Sequence, residues 1–144
     1  MTVRITRTFA FDAPAERVWE FIADPAKRAA AISVVDSFEV HDDGSATWQV
    51  ELPIPLISST VTVETRDVDV DPPRHVEFVG RSRVMRVTGE HTIEPDDDGS
   101  LLHNEFVVDG RVPGVERFFR RNLDRELENL EAALREDLEL SARG

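Results

Sequence analysis

The stretch Phe9-Ala10-Phe11-Asp12-Ala13-Pro14-Ala15-Glu16-Arg17-Val18-Trp19-Glu20-Phe21-Ile22-Ala23-Asp24-Pro25 changes its hydrophobic period halfway along. Its first part continues an alternation that begins at Val3. Val3, Ile5, Phe9 and Phe11 are set against Arg4, Thr6, Thr8 and Ala10, the pattern of a strand with one buried face. After Asp12 the period becomes helical. Pro14 suits the first turn, Asp12 lies near the cap, and Val18, Trp19, Phe21 and Ile22 form the buried stripe. Asp24-Pro25 ends this helix, because proline pushes the residue before it out of helical conformation. A second short helical piece follows through Arg28 to Ile32.

Working outward, Val34 to Gly110 reads as strands and turns. Phe38-Val40 and Trp48-Val50-Leu52 flank Asp42-Asp43-Gly44-Ser45, a hairpin signal. Val61 and Val63 mark the next strand, which ends near Pro72-Pro73, and Val76 and Phe78 mark another. Met85, Val87, His91 and Ile93 share one face of a sixth strand. Leu102, Phe106 and Val108 share one face of a seventh, with Asp96-Asp97-Asp98-Gly99-Ser100 as the turn between them. Beyond Pro113-Gly114, Val115, Phe119, Leu123, Leu127, Leu130, Leu134 and Leu138 recur every three or four residues. This is a long amphipathic helix of roughly 40 Å, with Glu131 and Arg135 at ion-pair spacing on its polar face. The expected fold is therefore α+β: a curved antiparallel sheet of six to seven strands wrapped around a long C-terminal helix, with two short helices after the first strand. Such a sheet can bury its inner face only against that helix, and the curl leaves room for a cavity. No repeat, linker or low-complexity segment interrupts residues 1–144, which read as one domain.

Composition narrows the function. Asp and Glu total 29 against 17 Lys and Arg, for a net charge of −12, which repels phosphate backbones and anionic membranes. Nucleic-acid binding is thus excluded as an expectation. Lys27 is the only lysine, and acids cluster at Asp42-Asp43 and Asp96-Asp97-Asp98. This resembles the halophilic surfaces of proteins from high-salt cytoplasm. The absence of cysteine removes disulfides, thiolate catalysis and thiolate metal sites. No apolar run approaches the roughly 20 residues of a membrane span, and the start of the chain lacks a signal-peptide core, so it reads as cytoplasmic, without stable membrane insertion.

The run from Phe9 to Pro25, with its strand, Ala13-Pro14, two-residue spacer, Val18-Trp19 and Asp24-Pro25, resembles the entry pattern of the helix-grip superfamily. That superfamily includes START lipid-transfer domains, pollen-allergen-like proteins and polyketide cyclases. The order of elements is similar across nearly the whole chain. Pro72-Pro73 before Val76-Glu77-Phe78, together with Gly80, Gly89 and Gly110, is similar to the carbon monoxide dehydrogenase G group within it. The resemblance implies a fold that hosts binders, transfer proteins, cyclases and adaptors alike.

A few polar residues interrupt the inner face. Arg7, Thr65, His91 and Asn104 each fall among apolar neighbours of the same parity. A hairpin centred between Asp97 and Asp98 makes residues 91 and 104 direct cross-strand partners. Pairing of the first strand with the seventh, which the resemblance implies, then brings Arg7 beside Asn104. These three groups could orient a carboxylate, carbonyl or hydroxyl in an apolar pocket completed by Trp48, Val63, Phe78 and Val87, with Phe106, Phe119 and Leu123 opposite. The competing reading is that His91 and Asn104 satisfy each other and that Arg7 reaches a rim or pairs with a carboxylate such as Asp109. His41, His75 and His103 read as surface. No three ligands converge for a metal, no serine lies on a nucleophile elbow, and the seven scattered glycines make no phosphate loop, so no cofactor is expected.

Three functions fit, in this order. The first is a carrier of a hydrophobic small molecule such as a lipid, isoprenoid, quinone or polyketide-like compound. The second is an adaptor or maturation protein for a redox enzyme, a role implied by the likeness to the carbon monoxide dehydrogenase G group. It would dock a protein partner through Leu52-Pro53-Ile54-Pro55-Leu56-Ile57, which reads equally as a lid. The third is a cyclase or dehydratase with His91 as acid or base, which requires a pKa near neutrality.

Overall fold

The computed structural model describes residues 2–54 and 60–143, with side chains through residue 139. In chain order these form β1 (Thr2–Phe11), α1 (Ala15–Ile22), α2 (Pro25–Ala30), β2 (Val35–Val40), β3 (Ala46–Val50), β4 (Val61–Asp71), β5 (His75–Arg81), β6 (Met85–Asp96), β7 (Gly99–Gly110) and α3 (Val115–Arg143). The strands make one antiparallel sheet in the order β1-β7-β6-β5-β4-β3-β2. Each hairpin therefore lies beside the next, and β1 closes onto β7. Irregularities in the β2–β3 and β4–β5 pairings add the local bend that lets the sheet curl.

The expected period-2 faces are present. Along β7, Ser100, Leu102, Asn104, Phe106 and Val108 are buried between half-exposed neighbours. Along β6 the buried set is Met85, Val87, Gly89, His91 and Ile93. The helix presents Val115, Phe119, Leu123, Leu127, Leu130 and Leu134 to this inner face, all buried. Glu131 and Arg135 pair at 2.8 Å as their spacing implied. Arg135 also lies 4.7 Å over the Phe11 ring and donates to the Ala10 carbonyl, which fastens the far part of α3 to β1. No helix among the described residues is long and apolar enough to cross a membrane.

Two local expectations are corrected. Asp12 does not cap α1: Pro14 holds the cap position and no side chain caps that helix. The side-chain cap belongs to α2, where Asp24 accepts from the Ala26 amide at 2.9 Å. In the 52–57 segment, Leu52 and Ile54 are buried and form no exposed apolar patch. Residues 55–57 lie outside the described residues.

Candidate functional site

Between the inner face of the sheet and α3 the side chains do not close completely. A cavity remains in which the centre of a water-sized sphere can move through about 50 Å³. Each water needs roughly 10–15 Å³ by that measure, so the space corresponds to about four waters, or one small ring. Three sets of residues border it. Strands supply Trp48 and Val50 from β3, Phe78 from β5, Met85, Val87 and His91 from β6, and Phe106 and Val108 from β7. Helix α3 supplies Phe119, Leu123, Glu126 and Leu130. Arg28 of α2 and Ile32, Val34 and Val35 complete the wall.

Phe78 is the hub of the strand wall. Its ring centre lies 5.8 Å from Trp48, 6.1 Å edge-on from Phe106 and 6.3 Å, stacked, from His91. This placement depends on Gly89, the cross-strand partner of Phe78, because a Cβ there would lie 2.2 Å from Phe78 Cε1. Glycine lets the ring lie over the neighbouring strand.

His91 and Asn104 are direct partners in the β6–β7 hairpin, in the register that the turn at Asp97-Asp98 implied, and Asn104 faces Arg7 across β1–β7, as the resemblance implied. Nδ1 of His91 and Oδ1 of Asn104 are 2.7 Å apart. The amide nitrogen of Asn104 donates to the carbonyls of Arg7 and Leu102, both at 3.3 Å, so its oxygen is the atom facing the imidazole. Nδ1 therefore carries the proton and donates, and Nε2 is left as an acceptor. Burial pushes the His91 pKa down to about 4. Asn104 opposes the shift, and the charges of Arg28 and His75 add to it. The ring is neutral at pH 7.

Arg28 is buried within a polar network. Nη2 meets Asp67 Oδ1 of β4 at 2.5 Å, Nη1 donates to the Ile22 carbonyl at 2.9 Å, and the guanidinium lies 5.2 Å over Phe78. Burial lowers its pKa, and Asp67 opposes that shift. Glu126 accepts from Ser33 Oγ at 2.7 Å, from the Ser33 and Val34 amides at 3.2 and 3.4 Å, and from Asn129 at 2.9 Å. Its carboxylate thus ties α3 to the turn after α2. The indole nitrogen of Trp48 is buried with no partner among the described residues.

Of the residues expected at the site, Trp48, Phe78, Val87, His91, Phe106, Phe119 and Leu123 border the cavity. Arg7 does not. Its side chain is about half exposed and pairs with Asp124 Oδ1 of α3 at 2.7 Å, so the carboxylate it finds is on the helix and is not Asp109. Asn104 lies behind His91 and shapes the cavity only through it. Val63 is fully buried opposite Trp48 but off the cavity wall.

Sequence reasoning does not reach Arg28 or Glu126. Arg28, in a short Ala-rich helix, reads as a solvated cation until Asp67 is seen beside it. Glu126 offered a signal, since it stands three residues after Leu123 and four before Leu130, on the apolar seam itself. The other histidines are on the outer surface. His103 bonds Thr8 and Glu94, His41 bonds Thr47, and His75 lies 3.4 and 3.6 Å from Asp69 and Glu90.

Comparison with known proteins agrees with this architecture. A conserved protein from Geobacillus kaustophilus superposes with a TM-score of 0.77 at 16% identity, over 96% of this chain and 97% of that one. A START superfamily protein from Mycobacterium smegmatis gives 0.73 at 16% identity, over 95% and 97%. An aromatase/cyclase from Streptomyces sp. R1128 gives 0.69 at 20% identity, over 99% and 95%. At these identities the likeness is one of fold. It is the helix-grip fold, and nothing in it singles out the carbon monoxide dehydrogenase G group. No protein of curated function matches the sequence. The family model described as polyketide cyclase/dehydrase and lipid transport matches residues 2–135, and the chain belongs to that family.

Proposed function

We propose that this chain binds a neutral hydrophobic small molecule in the cavity between the sheet and α3, as a carrier. The observation that carries the reading is the cavity itself: space kept open in a core of Trp48, Phe78, Phe106, Phe119 and Leu123, where apolar packing would otherwise close. Buried aromatic and aliphatic walls favour apolar ligands, at roughly 25 cal/mol for each Å² removed from water. As it stands the cavity takes about one ring. A lipid, isoprenoid, quinone or polyketide-like molecule would have to displace the turn around Ile32 and Val34, which Glu126 holds.

The family also includes enzymes, but His91 is poorly matched to acid–base work at neutral pH. With a pKa of about 4 its Nε2 is a weak base, and at pH 7 almost no second proton is present on that nitrogen to be donated. The adaptor reading loses the described part of its docking segment, since Leu52 and Ile54 are in the core.

The test is to purify the protein in high salt, denature it and identify released molecules by mass spectrometry, alongside calorimetric titration with ethylbenzene. A stoichiometric apolar molecule, or saturable uptake of ethylbenzene, is the expected result. An empty protein that takes up no ethylbenzene would overturn the reading.

A further inference from the structure

Among the described residues four polar side chains border the cavity, and two of them are held in charged networks. Both Glu126 oxygens accept from Ser33, Val34 or Asn129, and Arg28 is tied by one bond from each terminal nitrogen, to Asp67 and to Ile22, with its charge balanced by Asp67. The other two residues each keep an unused polar atom. Nε2 of His91, held as an acceptor by the bond from Nδ1 to Asn104, has no partner among the described residues. The indole N–H of Trp48, a donor, has none either. The Trp48 nitrogen is fully enclosed, and His91, 1% exposed, borders the cavity.

A buried acceptor without a donor costs free energy until something supplies one, and the apolar atoms around His91 cannot. A carbonyl, ether or carboxylate ligand would bring another acceptor to Nε2. A carboxylate would also meet unbalanced negative charge, because Arg28 is already neutralised by Asp67 while Glu126 carries a charge of its own. An ammonium would leave its hydration shell for a mainly apolar enclosure. A hydroxyl remains, because it is neutral, donates through its hydrogen and accepts through its oxygen.

Resting on the binding function above, we propose that the cavity selects a neutral apolar molecule bearing a hydroxyl, such as a phenol, enol or alcohol. Its O–H donates to Nε2 of His91, and its oxygen is the class of acceptor that the Trp48 N–H lacks. Asn104 is the positioning residue, since its amide fixes which imidazole nitrogen accepts.

The experiment compares 4-ethylphenol with its methyl ether, 4-ethylanisole, by calorimetric titration of the wild-type protein at pH 7. The imidazole ¹⁵N resonances are followed in parallel. The phenol should bind roughly tenfold more tightly, the worth of a buried acceptor satisfied rather than stranded. The Nε2 resonance of His91 should move with the phenol and stay in place with the ether. His91→Phe should erase the preference for the phenol over the ether, and if that variant does not fold, the wild-type resonance decides alone. Equal affinities with an unmoved Nε2 would overturn the hydroxyl selection while leaving hydrophobic binding intact. Failure of both probes to bind would overturn the binding function and this inference together.

Discussion

The cavity has two walls that tolerate polar groups in opposite ways. The wall of β5, β6 and β7 admits one polar side chain, His91, and keeps it neutral: burial holds its pKa near 4 and a neutral amide orients it. The wall of α2, the following turn and α3 admits two full charges. Arg28 is neutralised by Asp67, and Glu126 is wrapped by amide, hydroxyl and side-chain amide donors. The difference follows from the backbone. Strand amides and carbonyls are consumed by the ladder and offer a buried charge nothing. A helix end and an irregular turn leave free amides and carbonyls, and here Ser33, Val34 and Ile22 provide them. One wall is therefore sensitive to protons, and the other to removal of a single partner.

The largest effect should come from breaking the charged wall. Arg28→Ala strands Asp67 and the Ile22 carbonyl, and should lower the unfolding free energy by about 3 kcal/mol in urea denaturation. A loss below about 1 kcal/mol would mean that this wall is held by its apolar contacts instead.

Next is the proton sensitivity of the strand wall. An unfolded histidine titrates near 6.5 and folded His91 near 4, so between those values only the unfolded chain takes up the proton. Stability should fall as pH drops through that window, by up to about 3 kcal/mol from this group. Urea midpoints at pH 7 and pH 4.5 should differ more in the wild type than in His91→Gln. The carboxylates shared by both proteins set the common background, so identical differences would refute the assignment.

A steric test of the same wall is smaller. Gly89→Ala places a methyl group within the Phe78 ring position and should cost about 1–3 kcal/mol in thermal unfolding. It should also weaken ethylbenzene uptake, because the displaced ring has the cavity to move into. The smallest change is expected from Glu126→Gln, about 1 kcal/mol. Its clearer signature should be faster hydrogen exchange at the Ser33 and Val34 amides, which the carboxylate now protects.

The elements were legible because each is encoded locally. The switch of period between Phe9 and Trp19 gave strand then helix, and Asp24-Pro25 gave the break. The Asp97-Asp98 turn sets a register that joins His91 to Asn104 by counting outward from it. Strand parity also named most of the aromatic wall. Parity failed for Arg7 and Val63, since it reports a face and not a depth. Arg7 stands on the inner side of β1 yet reaches Asp124 away from the cavity, and Val63 is in the core but off the wall.

By itself, then, the sequence determined the elements, the β6–β7 register and the identity of the neutral polar pair, because periodicity, turn chemistry and hairpin register act over a few residues or a countable offset. Only the tertiary structure decided which charges belong to the cavity. Arg28 meets Asp67 across 39 positions of chain and Glu126 meets Ser33 across 93, and such meetings depend on how far the sheet curls toward the helix. Curl is a sum of twists and bulges over seven strands, and no single stretch of residues encodes it.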